Sequence, residues 1–92
     1  MNWDADTILK DVYAVVEKHM PSAARQQLEL RTNLFDLGLD SMRTIRLIVA
    51  LETTFGCHFE AEDVDVGRID SIENIARLVS AKLIDGRAET RA

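Results

Sequence analysis

Ser41 is the residue of this sequence with the clearest potential for chemistry. It follows Gly38, Leu39 and Asp40 and begins a stretch with helical apolar spacing, so its hydroxyl is expected at a helix N-terminus. The first backbone N–H groups of a helix lack intrahelical partners, and the helix dipole is positive at that end. A phosphodiester on Ser41 would be stabilised there. Asp40 is expected to cap the same helix end.

A catalytic role for Ser41 would need a base within hydrogen-bond reach, and the sequence has two histidines. His58 follows the far end of the helix that Ser41 begins, which separates the two residues by about 20 Å at a rise of about 1.5 Å per residue. His19 precedes a long connection and stays open as a base. The motif Gly-x-Ser-x-Gly is absent, so a hydrolase is the least favoured of the functions considered.

The remaining reactive residues give little support for metal or thiol chemistry. Cys57 and His58 are adjacent but have no partners at the spacing of a ligand set. The acidic run from Glu60 to Asp65 lacks the glycine and the terminal glutamate of an EF-hand loop. We therefore predict no metal site and interpret the acidic run as a solvated face.

The composition is that of one small globular domain. The chain has 92 residues, 47% apolar and 29% charged, which leaves no room for a second core. The net charge of the chain is −5, and residues 60–73 alone sum to −5, so the rest of the chain is neutral. The sequence has no basic run of the kind that binds nucleic acid. The N-terminus does not resemble a signal peptide, and no apolar run reaches the roughly 18 residues of a membrane span. The single cysteine excludes an intramolecular disulfide and fits a reducing compartment. We expect a cytoplasmic monomer that contacts neither membrane nor nucleic acid.

Apolar residues recur at helical spacing in three long segments and one short one, at residues 4–19, 41–55, 62–68 and 71–84. Asp4 or Asp6 is expected to cap the first helix, and Pro21 to stop it. Gly56 is expected at the end of the second helix and Gly86 at the end of the last. Asp70 and Glu73 have the spacing of a capping box at the start of that last helix.

The connection between the first two helices has about 20 residues, which is long for a compact domain. Its apolar residues are expected to hold it against the core, as is one apolar face of the second helix. These segments predict an all-α bundle of three main helices plus one short helix, with a long packed loop between helices one and two. The loop residues are Leu28, Leu30, Leu34, Phe35, Leu37 and Leu39; the helix residues are Met42, Ile45, Ile48, Val49, Leu51 and Phe55.

Three short motifs, in this order, resemble the carrier-protein family of acyl, peptidyl and aminoacyl carriers. They are Leu-Phe-Asp-Leu-Gly-Leu-Asp-Ser before the second helix, Leu-Glu-x-x-Phe-Gly at its end and Ser-Ile-x-x-Ile-Ala-x-Leu-Val in the last helix. The resemblance covers nearly the whole chain. It implies an acyl-carrier-like bundle, and we expect the carrier domain over residues 1–86 and a disordered tail over 87–92.

The resemblance implies that Ser41 carries a covalent 4'-phosphopantetheine arm. A separate phosphopantetheinyl transferase would install the arm from coenzyme A, and the carboxylate of Asp40 would lie near the metal-bound coenzyme A during that transfer. The arm would hold an acyl or aminoacyl cargo as a thioester. The chain would then be a free-standing shuttle rather than an enzyme, with a cargo-loading ligase or acyltransferase and downstream enzymes as partners.

The charge of the second helix suggests which kind of carrier this is. Carriers of fatty-acid synthesis, by the same resemblance, are acidic on this helix, whereas here it holds Arg43, Arg46 and one acid. We therefore expect a specialised carrier loaded by a dedicated ligase. Leu39, Met42, Arg43 and Arg46 are predicted to contact partners, the first two as an apolar rim around Ser41. The cargo stays open, as does the alternative of an unmodified helical protein-interaction module.

Overall fold

The computed structural model describes residues 4–91, with side chains up to residue 84. Within that range the chain is helical and has no strand, which confirms the all-α prediction. None of the described helices is long and apolar enough to cross a membrane. In chain order the α-helices are α1 (Ala5–His19), α2 (Ser41–Phe55), α3 (Val66–Ile69) and α4 (Ile72–Arg91), with 3₁₀ turns at Ser22–Gln27 and Ala61–Val64.

The ends of α1 and α2 follow from local cap chemistry, as predicted. Oδ1 of Asp4 accepts a hydrogen bond of 2.8 Å from the Thr7 backbone N–H, and α1 ends just before Met20 and Pro21. Asp40 caps α2 in the same way. At the other end of α2, Gly56 takes the left-handed conformation, with φ of 65°, and its N–H donates to the carbonyl of Glu52.

The C-terminal half differs from the prediction at three points. The expected short helix over residues 62–68 is divided into the 3₁₀ turn Ala61–Val64 and α3. The prediction of a capping box formed by Asp70 and Glu73 is wrong, because Ser71 caps the helix instead: its Oγ accepts the Asn74 N–H at 3.1 Å. The predicted helix end at Gly86 is also wrong, because α4 continues to Arg91. A glycine inside a helix costs only about 1 kcal/mol relative to alanine, which does not stop a helix.

Residues 87–91 therefore have helical backbone. Their side chains lie outside the described part of the chain, as do Ala92 and residues 1–3. The division into a carrier domain over 1–86 and a tail over 87–92 stays a prediction.

The core lies where α1, α2 and α4 meet, and it confirms only part of the apolar face predicted for α2, namely Ile48, Leu51 and Phe55. Leu47, Leu51 and Phe55 are buried, with Ile48 packed against them. The prediction is wrong for Met42, Ile45 and Val49, which are 59%, 61% and 55% exposed on the opposite side of the helix. Apolar residues occur on both sides of α2, and contact with α1 decides which side is buried. The core residues of the other elements include Ile8, Val12, Val16, Met20, Phe59, Ile69, Ile72, Ile75, Leu78 and Val79.

The long loop before α2 is held by both side chains and backbone. Leu28, Leu34 and Leu39 are buried, and Phe35 and Leu37 are packed partly against the core. Leu30 was also expected in the core, but its side chain is 41% exposed.

Two backbone hydrogen bonds attach this loop to the α3–α4 junction. The carbonyl of Leu30 accepts from the Glu73 N–H at 2.9 Å, and the Leu34 N–H donates to the carbonyl of Asp70 at 2.8 Å. Glu73 lies in the first turn of α4, whose N–H groups have no intrahelical acceptors. Leu30 therefore supports the fold through its carbonyl rather than its side chain.

Candidate functional site

Ser41 is the first residue of α2 and is exposed. Its Oγ makes no hydrogen bond to any other residue that the structure describes. A primary hydroxyl in this position is open to an incoming group and lies at the positive end of a helix of 15 residues. The site thus fits a phosphodiester attached to Ser41, whose negative charge the first N–H groups of α2 would stabilise.

Asp40 organises the start of α2 through three hydrogen bonds. Its Oδ1 accepts the Arg43 N–H at 2.8 Å. Its carbonyl accepts the Thr44 N–H at 2.8 Å and the Thr44 hydroxyl at 2.7 Å. The second carboxylate oxygen has no hydrogen-bond partner among the described residues. One side chain therefore caps the helix and still offers an unpaired anionic oxygen next to Ser41.

The turn that leads into Asp40 depends on Gly38. Its φ of 110° is one that side chains rarely adopt, and a Cβ built there would lie 3.0 Å from Cγ of Pro21. Such a contact is closer than real Cβ atoms usually make, so this position requires glycine. Pro21 follows α1, which means that the end of α1 and the approach to Ser41 are in direct contact. This contact could not be predicted from sequence, because the two residues are far apart in the chain.

Asn33 was also missed as a residue that shapes the site. Its Oδ1 accepts the N–H groups of Phe35 and Asp36 at 2.9 and 3.3 Å, which forms a side-chain-mediated turn. The Leu39 N–H then donates to the carbonyl of Leu34 at 3.0 Å. An asparagine before the Leu-Phe pair was the signal that could have indicated this turn.

The predicted partner-facing residues divide into buried and accessible ones. Leu39 is 3% exposed, so it is a core residue and does not form the apolar rim expected of it. Met42 and Arg46 are exposed. Arg43 is half-buried, and its Nη1 donates to the carbonyl of His19 at 3.4 Å, which joins α2 to the end of α1.

Neither histidine forms a catalytic pair with Ser41 in the described structure. His19 Nδ1 lies 2.8 Å from the Val15 carbonyl and is engaged within α1. His58 lies beyond the far end of α2, with its Nδ1 3.1 Å from Oε2 of Glu52. The hydrolase alternative therefore lacks a base.

Cys57 and the acidic residues do not form a reactive centre either. Burial, followed by the nearby charge of Glu52, raises the pKa of the Cys57 thiol, which disfavours the reactive thiolate. No group of three or more His, Cys, Asp or Glu side chains among the described residues could hold a metal ion. The start of α2 thus presents an exposed serine hydroxyl, and neither described histidine is in hydrogen-bond contact with it.

Comparison with known proteins agrees with this geometry. Residues 13–79 match the family described as "Phosphopantetheine attachment site", and the chain belongs to that family of carrier proteins. The family carries covalently attached 4'-phosphopantetheine. Its members act as carriers rather than catalysts.

Two curated relatives show where similar sequences occur. The chain is 34% identical over 76 residues to coprinoferrin synthetase of Coprinopsis cinerea, a match that covers 83% of this chain but 3% of that protein. It is 30% identical over 71 residues to a chloroplastic acyl carrier protein of Brassica napus, covering 77% of this chain and 52% of that protein. The chain thus spans about half of one relative and a small part of the other.

Proposed function

We propose that Ser41 carries the phosphopantetheine arm, and that the chain is a free-standing carrier that shuttles an acyl or aminoacyl cargo between partner enzymes. The observation that carries the proposal is the exposed Ser41 hydroxyl at the N-terminus of α2, next to the unpaired oxygen of Asp40. When bound, the arm supplies a terminal thiol that holds the cargo as a thioester. The chain itself supplies the attachment point, its surroundings and the surface that partners recognise.

Four features of the chain support arm attachment at Ser41. The helix dipole and the first N–H groups of α2 stabilise the negative charge of a phosphodiester. Asp40 holds the start of α2 in place through Arg43 and Thr44. The unpaired oxygen of Asp40 is available to metal-bound coenzyme A while a transferase delivers the arm. Gly38 lets the loop that leads into Asp40 and Ser41 pass close to Pro21.

The proposal specifies the cargo only by its chemical class, acyl or aminoacyl. We propose a specialised carrier loaded by a dedicated ligase, because α2 holds two arginines against the single acid Glu52. Glu52 is moreover engaged with the Phe59 N–H and with His58. The similarity to a synthetase and to an acyl carrier protein is compatible with either aminoacyl or acyl cargo.

Arm attachment is tested by intact mass. The purified chain is incubated with coenzyme A and a broad-specificity phosphopantetheinyl transferase, and we expect the mass to rise by one arm. Ser41→Ala should abolish the gain. Ser22→Ala is the matched control, since Ser22 is also exposed and begins a 3₁₀ turn, and it should be modified as fully as the wild type.

Two results would contradict the proposal. Modification that persists in Ser41→Ala would place the arm elsewhere. No modification of the wild type, in the presence of a carrier that the same transferase does modify, would favour the unmodified interaction module. The free-standing state is tested separately by immunoblotting extracts of the native host, which should show a species near 10.4 kDa.

A further inference from the structure

Of the nine lysines and arginines whose side chains the structure describes, four form ion pairs and five, among them Lys10 near the middle of α1, do not. Four cations lie near the α3–α4 half, and each of them contacts an acid. One acid, Asp63, receives two of them, and Glu73 receives the other two. The pairs are Arg68–Asp63 at 3.3 Å, Lys82–Asp63 at 2.6 Å, Arg31–Glu73 at 3.4 Å and Arg77–Glu73 at 3.5 Å.

Four other cations lie around the end of α1, close to the start of α2, and none of them forms an ion pair with a described residue. Arg25 Nη2 donates to the carbonyl of Lys18 at 3.4 Å, and Arg43 Nη1 donates to the next carbonyl, that of His19, at 3.4 Å. Arg46 follows Arg43 by three residues, which is about one helical turn. We call Lys18, Arg25, Arg43 and Arg46 the basic surface.

The helix dipole accounts for part of the basic surface. Cations are stabilised at the negative C-terminal end of a helix, and this explains Lys18, Arg25 and Arg43. It does not explain Arg46, which is exposed and makes no side-chain hydrogen bond or ion pair within the described chain. The acids nearest to Ser41 in sequence, Asp36 and Asp40, do not pair with these cations either.

An apolar stripe adjoins Arg46 on the outer side of α2. It consists of Met42, Ile45 and Val49, which are 59%, 61% and 55% exposed. At about 100° per residue, these three side chains and Arg46 share the side of α2 opposite to Leu51. Apolar side chains grouped in this way, with charge beside them, are typical of a surface that another protein covers.

We propose that the basic surface and this apolar stripe together bind an acidic face of the enzyme that loads the arm, one with apolar residues at its centre and carboxylates around them. The inference rests on the proposed function, since Ser41 adjoins Met42 and an enzyme reaching the arm must approach this side. Charge complementarity identifies the partner. Cations that form no ion pair with a described residue, grouped near the start of α2, attract carboxylates, although the chain as a whole carries −5.

The test uses two designed amphipathic helical peptides with the same leucine face. One carries glutamates on its polar face and the other carries lysines at the same positions. Binding to the chain without its arm is measured by titration at low ionic strength, and the binding site is located from amide shifts in NMR spectra. Net charge alone would favour the lysine peptide. We expect the glutamate peptide to bind about tenfold more tightly, with shifts at the basic surface, and to weaken as salt is added.

Matched variants locate the effect. Lys18→Gln with Arg46→Gln removes two charges whose side chains form no hydrogen bond or ion pair with described residues, and should weaken glutamate-peptide binding about tenfold. Lys10→Gln with Arg77→Gln removes two charges elsewhere and should change it less than twofold. Lys10 lies eight residues before Lys18 on α1, which is about 12 Å along the helix axis. Arg77 lies on α4 and pairs with Glu73.

Three results would overturn the inference. The first is tighter binding of the lysine peptide, and the second is an equal effect of the two double variants. The third is that a single-stranded oligonucleotide, with the same charge as the glutamate peptide, binds as tightly as that peptide does. The last would assign the surface to nucleic acid. None of these results depends on the arm, so they are distinct from a failure of arm attachment at Ser41, which is read by mass.

Discussion

We predict two separable roles for Asp40, one in stability and one in arm attachment, and two substitutions distinguish them. Asparagine accepts an N-cap hydrogen bond about as well as aspartate does, whereas alanine cannot. Asp40→Asn therefore keeps the cap to the Arg43 N–H and loses the carboxylate charge. Asp40→Ala loses both. The two variants should agree in arm attachment and differ in stability.

The size of the stability effect follows from the single 2.8 Å cap hydrogen bond. Its loss in Asp40→Ala should lower the free energy of unfolding by about 1 kcal/mol. For a domain of this size that corresponds to a fall in Tm of roughly 4–8 °C. Asp40→Asn should cost only about 0.3 kcal/mol, through the lost interaction of this exposed charge with the helix dipole. Urea denaturation followed by circular dichroism measures both values.

Arm attachment should respond to charge rather than to the cap. Both variants should be modified roughly 10–100-fold more slowly, since each removes an anionic oxygen that supports the metal-bound donor. Asp4→Ala is the matched control, because Asp4 caps α1 with a bond of the same length, 2.8 Å. It should destabilise the fold while leaving the modification rate unchanged. If Asp40→Asn is modified at the wild-type rate, the carboxylate of Asp40 has no part in arm transfer.

Two further predictions concern the scaffold. Leu34→Ala should destabilise the domain by about 3–4 kcal/mol because the side chain is fully buried, while Phe35→Ala should cost about 1–2 kcal/mol because it is only partly covered; equal losses in urea denaturation would contradict this. The hydrogen bond from Lys82 lowers the pKa of Asp63, so this carboxylate stabilises the fold above its ordinary value of 3.8 and stops doing so as the pH falls through the folded pKa. Asp63→Asn should therefore cost about 2 kcal/mol near pH 7 and flatten the loss of stability in acid, whereas Asp65→Asn, at an exposed position, should do neither.

The parts of the fold that the sequence predicted well are those governed by neighbours in the chain. Asp40 and Gly56 act on the helix that they adjoin, so the bounds of α2 could be predicted from sequence. Ser41 was identified for the same reason, since its position at a helix start depends on residues directly before and after it. Ser71 capped α4 in place of Asp70 because two adjacent residues could both act as caps and local spacing does not choose between them.

The parts that could not be predicted depend on which elements meet in space. Met42 and Leu47 are both apolar residues of α2, and only the position of α1 determines that Leu47 is the buried one. Arg25 and Arg43 are 18 residues apart in the chain. They come together because both donate to carbonyls at the end of α1. No periodicity in the sequence indicates such a grouping.

The two backbone hydrogen bonds between the loop and the α3–α4 junction determine how a group attached to Ser41 can move. They hold the segment before α2 at Leu30 and Leu34, so Ser41 begins a helix whose approach is attached to the bundle rather than lying at the tip of a free loop. The volume that an attached arm explores is then centred on a fixed point. The local concentration of its thiol at a partner's active site depends on the length of the arm and the distance to that site. If Ser41 carries the arm as proposed, breaking the Leu34 hydrogen bond would widen this volume and lower the local concentration of the thiol without altering a contact to the partner.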